Sequence, residues 1–491
     1  MKRNSIVALL ASLATVCIWV FSSVEQISAT ARPTGIRGTR PGDLCTEACR
    51  EVDRYLTRLI KEDGPGVAVL VMKGDEPVLM KGYGKARIAD AANGIAAEDI
   101  TTDTVFDLAS VSKQFTAVGI LMLVDRSTKT GPDDGKYGKL SLDDKLATFF
   151  PNLPGAKDIT IRHLLTHSSG LPEYMPLKRK EEHYYCCELE STGFWYARMQ
   201  QTSPPYMTNK ETIRLVETQQ KPDFEPGSKF CYSNTGYVVL AEIIRKLTNK
   251  SLCDFLREEV FVRLKMNDTF VFDEKNRGFD RHALCYRATR DGRRPLEYES
   301  IGSDTEFNYI HGDGNVHSTI ADMAKWQLAL NRVNDAPEGD PEALIKRETF
   351  FSVFDPLKLL KSAGLAKKYF VYDRRQSKKY GSGFFLYSYQ KGRVRSFALH
   401  HGGEWLGFHS YLMRGDVRWG KSERVSMSIV VLSNFHSTAP INKPCGSSNN
   451  ARDPCYVATR LSKIYWQLGW MPKRWNVFRY LCTLGLPSSF C

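Results

Sequence analysis

Ser110-Val111-Ser112-Lys113 places a hydroxyl and an amine three residues apart at the head of an apolar run that reaches Val124. A helix there puts Ser110 and Lys113 on one face, one turn apart. A serine hydroxyl needs a neighbouring base before it attacks a carbonyl at neutral pH, and a lysine serves as one where burial or charge lowers its pKa. Alone, the pattern is equally that of a helix cap followed by a solvated charge. Two other segments carry compatible chemistry. In an extended Tyr232-Ser233-Asn234 the phenol and the amide point the same way; the phenol is a base beside an ammonium, and the amide can hold that ammonium or a substrate carbonyl. In His401-Gly402-Gly403-Glu404, at a strand end, the glycines let backbone approach a ligand, so an amide from this edge can pair with that of Ser110 as an oxyanion hole. A turn and a Gly-rich hairpin account for these segments when each is taken singly. His163 and His167 have the i, i+4 spacing of zinc ligands but no Glu between them and no third ligand, so packing or capping is expected and no metal.

These groups need elements to hold them. Leu44, Ala48, Val52, Leu56 and Ile60 predict a helix near 43 to 62, followed by a hairpin from Gly66–Met72 and Pro77–Tyr83. From Val111 to about Leu365 the signals are mainly helical. They include a helix entered through Thr160 and stopped near Gly170 and Pro172, another over Tyr237–Leu247, and a capping box of Thr319 with Asp322 that starts a helix through Asn331. Strands are expected over Arg395–His401, Phe408–Arg414 and Arg424–Asn434, then a helix over Val457–Leu468. The fold class is therefore α+β: an antiparallel sheet built from both chain ends (43–109 and 380–470) and flanked by terminal helices, a mainly helical lobe (110–379), and a site between them. Segments 127–139 and 176–210 read as loop-rich insertions. The second holds Tyr184, Tyr185, Phe194, Trp195 and Tyr196, which suit a substrate lid or a locally packed insertion.

Composition, 42% hydrophobic and 25% charged over 491 residues, is that of a globular protein. Lys2 and Arg3, the apolar Ile6–Phe21 and Ala29-Thr30-Ala31 predict a signal peptide cleaved near Ala31, with an uncleaved anchor as the rival reading. A linker follows over 32–42, and no later stretch is long and apolar enough to span a bilayer, so the expected location is secreted, periplasmic or cell envelope. The net charge of +13 suits acidic envelope polymers, but the basic residues are scattered and no nucleic-acid motif occurs, so no nucleic-acid partner is expected. Twelve cysteines favour an oxidising compartment. Cys445 with Cys455, and Cys482 with Cys491 in a tail over 471–491, have the spacing of local bridges; Cys45, Cys49, Cys186 and Cys187 read as structural. Asn249 and Asn267 begin glycosylation patterns, and the oligomeric state is left open.

In this order, Ser110-Val111-Ser112-Lys113, Tyr232-Ser233-Asn234 and His401-Gly402-Gly403 resemble the three active-site motifs of the serine β-lactamase and penicillin-binding protein superfamily, in its class C-like branch. The likeness continues through Phe106–Ala117, Ile159–Pro172, Pro226–Thr269 and Gly312–Leu330, and so covers most of 50–470. It implies a β-lactamase/transpeptidase-like fold and an acyl-enzyme at Ser110, with Lys113 and Tyr232 sharing the proton work and Asn234 orienting Lys113 and substrate. His401 and Gly403 would line the site, and the backbone amides of Ser110 and Glu404 would hold the oxyanion. No metal or cofactor is implied. Where β-lactamases and D,D-peptidases usually carry Lys-Thr-Gly, this chain has His401-Gly402-Gly403, which replaces a permanent cation by a mostly neutral imidazole. An inward-pointing Glu404 would also repel an anionic substrate. The expected function is a secreted serine hydrolase acting on ester or amide bonds, including D-amino-acid peptides. Alternatives are a penicillin-binding D,D-peptidase or β-lactamase, and a non-hydrolytic binding or scaffold protein of the same fold. The expected partners are small-molecule or peptide substrates, cell-envelope material among them.

Overall fold

The computed structural model describes residues 47–127, 137–175, 207–273, 281–288, 298–300, 309–335, 337, 340–354, 376–391, 394–405, 407–419, 423–436, 457, 460 and 461. The expected leader and linker, Cys45, Cys186, Cys187, the two local cysteine pairs, the five aromatics of 184–196 and the tail lie outside these residues.

Helix α1, Glu47–Leu59, leads into β1, Val67–Lys73, and β2, Glu76–Tyr83. Their hairpin turns through Gly74 at φ +60°. The first six residues of β1 are all buried, because both faces of the strand are covered. Val67, Val69 and Val71 pack with Cys49, Val52 and Leu56 of α1 and with the helical residues Val457 and Leu461. Ala68, Leu70 and Met72 face the larger core, which the helices of the middle of the chain build. The period-2 geometry of a strand thus sorts one apolar run into two cores.

In the middle of the chain, β3 (Val105–Asp107), β4 (Phe270–Val271) and β5 (Val316–Thr319) form a small sheet with β5 at its centre. The helices that matter for the site are α2 (Lys113–Ser127), α3 (Ile161–Leu165), α4 (Asn234–Thr248) and α5 (Ile320–Asp335). Thr160 caps α3 as expected, and the partner in its capping box is the His163 side chain. The box expected at Thr319 forms only in part. Thr319 Oγ1 accepts the Asp322 amide, whereas the Asp322 carboxylate accepts from Asp268 N–H and Thr269 O–H.

Five strands return to the large sheet: β6 (Gln376–Gly381), β7 (Phe384–Lys391), β8 (Val394–Trp405), β9 (Phe408–Trp419) and β10 (Glu423–Ser433). The order is β6-β7-β8-β9-β10-β1-β2, all antiparallel. Two strands from the front of the chain and five from the back therefore meet at the β1–β10 ladder, rather than the two and three expected. The edge strand β6, Gln-Ser-Lys-Lys-Tyr-Gly, has the basic, polar character that protects sheet edges and reads as loop. Gly402 and Gly403, expected near a turn, lie inside β8 and pair with Tyr411 and Ser410.

Among the described residues no helix is long and apolar enough to cross a membrane. Cys49, Cys253 and Cys285 carry thiols, whereas Cys231 is disulfide-bonded.

Candidate active site

Ser110 sits in a 3₁₀ turn, Ala109–Ser112, wedged between β3 and α2. The expected helix is therefore present, but its regular part begins at Lys113. Ala109 enters the turn at φ +46°, a left-handed conformation that costs a residue with a Cβ about 1–2 kcal/mol. The surroundings enforce it. The Asp107 carboxylate accepts the Ala109 amide at 2.7 Å, the Leu108 amide donates to Val316 O at 2.9 Å, and Leu108 O accepts the Ser410 hydroxyl at 2.6 Å. Ser112 Oγ ties the turn again to β5 by accepting the Val316 amide at 2.9 Å. The nucleophile candidate is thereby held against both sheets.

Lys113 is fully buried. Its Nζ donates to Ser110 Oγ at 3.2 Å, Asn234 Oδ1 at 2.7 Å and Asp313 O at 2.7 Å, which uses the three N–H groups of an ammonium. The Tyr232 ring centroid is 5.0 Å from Nζ and that of Tyr237 5.7 Å. Burial pulls the Lys113 pKa down to about 8, while the nearby Asp313 and Glu173 carboxylates work in the opposite direction. An amine so placed is available as a base close to neutral pH.

Tyr232 and Ser233 precede α4, and Asn234 is its first residue, so the tripeptide is extended only up to the helix cap. Both Tyr232 and Asn234 nevertheless reach Lys113. The Ser233 hydroxyl caps α4 by accepting from Gly236 N–H. A buried carboxylate, Glu173, completes the cap: its Oε2 accepts the Asn234 amide at 2.6 Å and the Thr235 amide at 3.4 Å, at the positive end of the helix dipole. Burial raises the Glu173 pKa to about 7. Asp313 is also buried, which raises its pKa; its carboxylate accepts the Tyr174 hydroxyl at 2.8 Å.

His401 is 2% exposed and faces the Tyr232 ring at 6.1 Å between centroids. Its Nδ1 lies 2.6 Å from Gly402 O, which can only accept, so the ring proton is on Nδ1 and Nε2 accepts the Tyr380 hydroxyl at 3.0 Å. Burial, reinforced by the Lys113 charge, lowers its pKa to about 3. The wall it forms carries no cation. Gly403, two residues along the same face, lies against the nucleophile turn: a Cβ there would sit 2.3 Å from Leu108 O and 3.0 Å from Ser110 N. The peptide between Gly403 and Glu404 thus borders the Ser110 amide. The Glu404 side chain leaves on the opposite face and meets His409 Nε2 at 3.3 Å, so its carboxylate does not point at Ser110.

Ser110, Lys113, Tyr232, Asn234, His401 and Gly403 therefore converge, and Glu404 contributes backbone alone. Glu173, Asp313, Tyr174 and Tyr380 lie outside the three motifs and were not expected in the site, and His167 was expected only to pack or cap. Glu173 follows directly on the Gly170-Leu171-Pro172 stop signal, where an acidic residue could have been weighed as an acceptor for the amides of a helix start.

The sequence model of the Beta-lactamase family matches residues 52–443. Penicillin-binding protein 4* of Bacillus subtilis (strain 168) is 28% identical over 353 residues, which are 70% of this chain and 64% of that protein. The D-aminopeptidase of Brucella anthropi is 25% identical over 62% of this chain and 49% of its own length. The chain thus spans less than two thirds of the length of these relatives. Among solved structures, D-amino acid amidase from Ochrobactrum anthropi SV3 superposes with a TM-score of 0.58 at 21% identity, covering 86% of this chain and 99% of the amidase. The octameric penicillin-binding protein homologue from Pyrococcus abyssi gives 0.55 at 22% identity, with 86% and 77% covered. These likenesses establish a shared fold, and the match over 52–443 establishes that the chain belongs to the beta-lactamase family, whose serine hydrolases share the β-lactamase/penicillin-binding-protein architecture.

Proposed function

We propose that the chain is a secreted serine hydrolase that cleaves ester or amide bonds, D-amino-acid peptides included, through an acyl-enzyme at Ser110, and that 43–470 is the catalytic domain. The observation that carries this reading is the position of Lys113 Nζ, buried between Ser110 Oγ, Asn234 Oδ1 and Asp313 O. Ser110 Oγ attacks the substrate carbonyl carbon as its proton passes to neutral Lys113 or to Tyr232 in its tyrosinate form. The C–O or C–N bond of the tetrahedral intermediate then breaks, the leaving group takes that proton, and water repeats the sequence to release the acid. The amides of Ser110 and Glu404 are the oxyanion donors. His401 and Gly403 line the acyl side, and the neutral imidazole favours substrates without a carboxylate at that point.

Turnover of p-nitrophenyl acetate tests the proposal. Ser110→Ala is expected to remove it, with the circular dichroism spectrum unchanged, and equal turnover in that variant rejects the reading.

The similarity to penicillin-binding protein 4* favours a second reading, a penicillin-binding D,D-peptidase. It requires a mass increase on Ser110 after incubation with labelled penicillin, and the absence of that adduct in an esterase-active preparation rules it out.

A further inference from the structure

We propose that His167 is the positioning residue for Tyr232, gripping the backbone on both sides of it and packing against its ring so that the ring stays beside Lys113. The assignment rests on the reading of Ser110 as nucleophile with Tyr232 in the proton path.

Different atoms of one residue converge on one target. The Cys231 amide donates to His167 O at 2.7 Å, and the Ser233 amide donates to His167 Nδ1 at 3.1 Å. The residues before and after Tyr232 are therefore both anchored on His167. Between these anchors the imidazole packs on the Tyr232 ring, with centroids 4.2 Å apart and planes inclined by 36°. A second contact of the same length, to Tyr380, holds the imidazole from another side, and Tyr380 itself donates to His401. His167 does not touch Ser110; it acts through the phenol.

Two further features tie the role to a histidine. An acceptor at Nδ1 requires a neutral ring with its proton on Nε2, because imidazolium has no acceptor. Complete burial, with Lys113 and His401 close by, keeps the pKa well below the ordinary histidine value, so the acceptor persists throughout the neutral range. The backbone is also unusual: His167 adopts φ +54° after the short helix α3, a conformation uncommon for side-chain-bearing residues. The chain accepts this strain at the one point from which the carbonyl and the ring both reach the Tyr232 segment.

His167→Phe keeps an aromatic ring and removes the acceptor. His167→Asn keeps an acceptor and tolerates the left-handed backbone but removes the ring. The acylation rate is measured as the burst of p-nitrophenolate from p-nitrophenyl acetate in wild type, H167F, H167N, Tyr232→Phe, H167F/Y232F and Ser110→Ala. H167F is expected to slow acylation by about 10- to 100-fold through misplacement of the phenol, with KM nearly unchanged. In the Y232F background the same change is expected to cost about twofold or less, because both substitutions disable one device. H167N should retain more activity than H167F. Independent losses that multiply in H167F/Y232F, with an active wild type, overturn the His167 assignment and leave the hydrolase reading intact. A wild type no faster than S110A overturns both. If H167F does not fold by circular dichroism, the cycle of H167N with Y232F decides by the same criterion.

Discussion

In the proposed mechanism, the proton affinity of Lys113 is the single-residue property that sets the acylation rate. A pKa of about 8 means that the neutral amine increases as the pH rises through that value, so kcat/KM for an uncharged ester is expected to climb and then level off there. Glu173 raises this pKa through its negative charge, and at pH 8, above its own value of about 7, it is mostly ionised. Glu173→Gln removes the charge while its amide oxygen still accepts the Asn234 N–H, so the midpoint of the pH profile should move to lower pH. An unmoved midpoint would place Glu173 outside the electrostatics of Lys113. Lys113→Met should lower acylation by about 10²- to 10⁴-fold, the usual contribution of a general base.

At the scale of elements, the junction of β8 with the 3₁₀ turn decides whether the amides of Ser110 and Glu404, proposed as oxyanion donors, stay adjacent. Gly403 is the close-approach point: a methyl group would lie 2.3 Å from Leu108 O and 2.4 Å from Ser410 Oγ, and Ser410 is itself bonded to Leu108. Gly403→Ala is therefore expected to push β8 away from Ser110. Overpacking of this kind costs about 1–3 kcal/mol of stability, measurable by urea unfolding, and the acylation rate should fall further than the stability loss accounts for. Gly402 offers a control within the same strand. A Cβ there meets nothing nearer than Tyr411 at 3.5 Å, so Gly402→Ala should be tolerated. The two glycines look alike in the sequence, and only their opposite faces in a paired strand separate them.

Across the whole molecule, the chain ends are joined by the β1–β10 ladder and by one amide. Asn434 is fully buried just after β10; its Oδ1 accepts the Gly66 amide at 2.9 Å, and its Nδ2 donates to Lys85 O at 3.0 Å and Leu284 O at 2.9 Å. Asn434→Ala leaves these groups buried without their partner, at about 1–3 kcal/mol for each unsatisfied group. A loss of several kcal/mol in chemical denaturation is expected, with the activity of the folded fraction preserved because the residue lies away from Ser110. A variant as stable as wild type would show that the β1–β10 ladder and the packing of α1 and β1 on Val457 and Leu461 suffice for the junction.

The order and spacing of Ser110, Lys113, Tyr232 and Asn234, the β1–β2 hairpin, the α+β class and the convergence of both chain ends on one sheet were all legible in the amino-acid sequence. Each follows from local periodicity, from turn chemistry or from the resemblance of three ordered motifs. The edge strand β6 was not legible, because an edge carries polar residues that locally resemble a loop, and the interior strand β7 was missed despite its apolar start. Nor was the face taken by Glu404, which depends on its pairing with His409 in β9. The chemical state of the site belongs to the tertiary structure as well. Lys113 loses its water, and meets Glu173 and the Asp313 carbonyl, only when segments far apart in the chain pack around it. Desolvation and charge proximity, which set its pKa, exist only in the assembled interior.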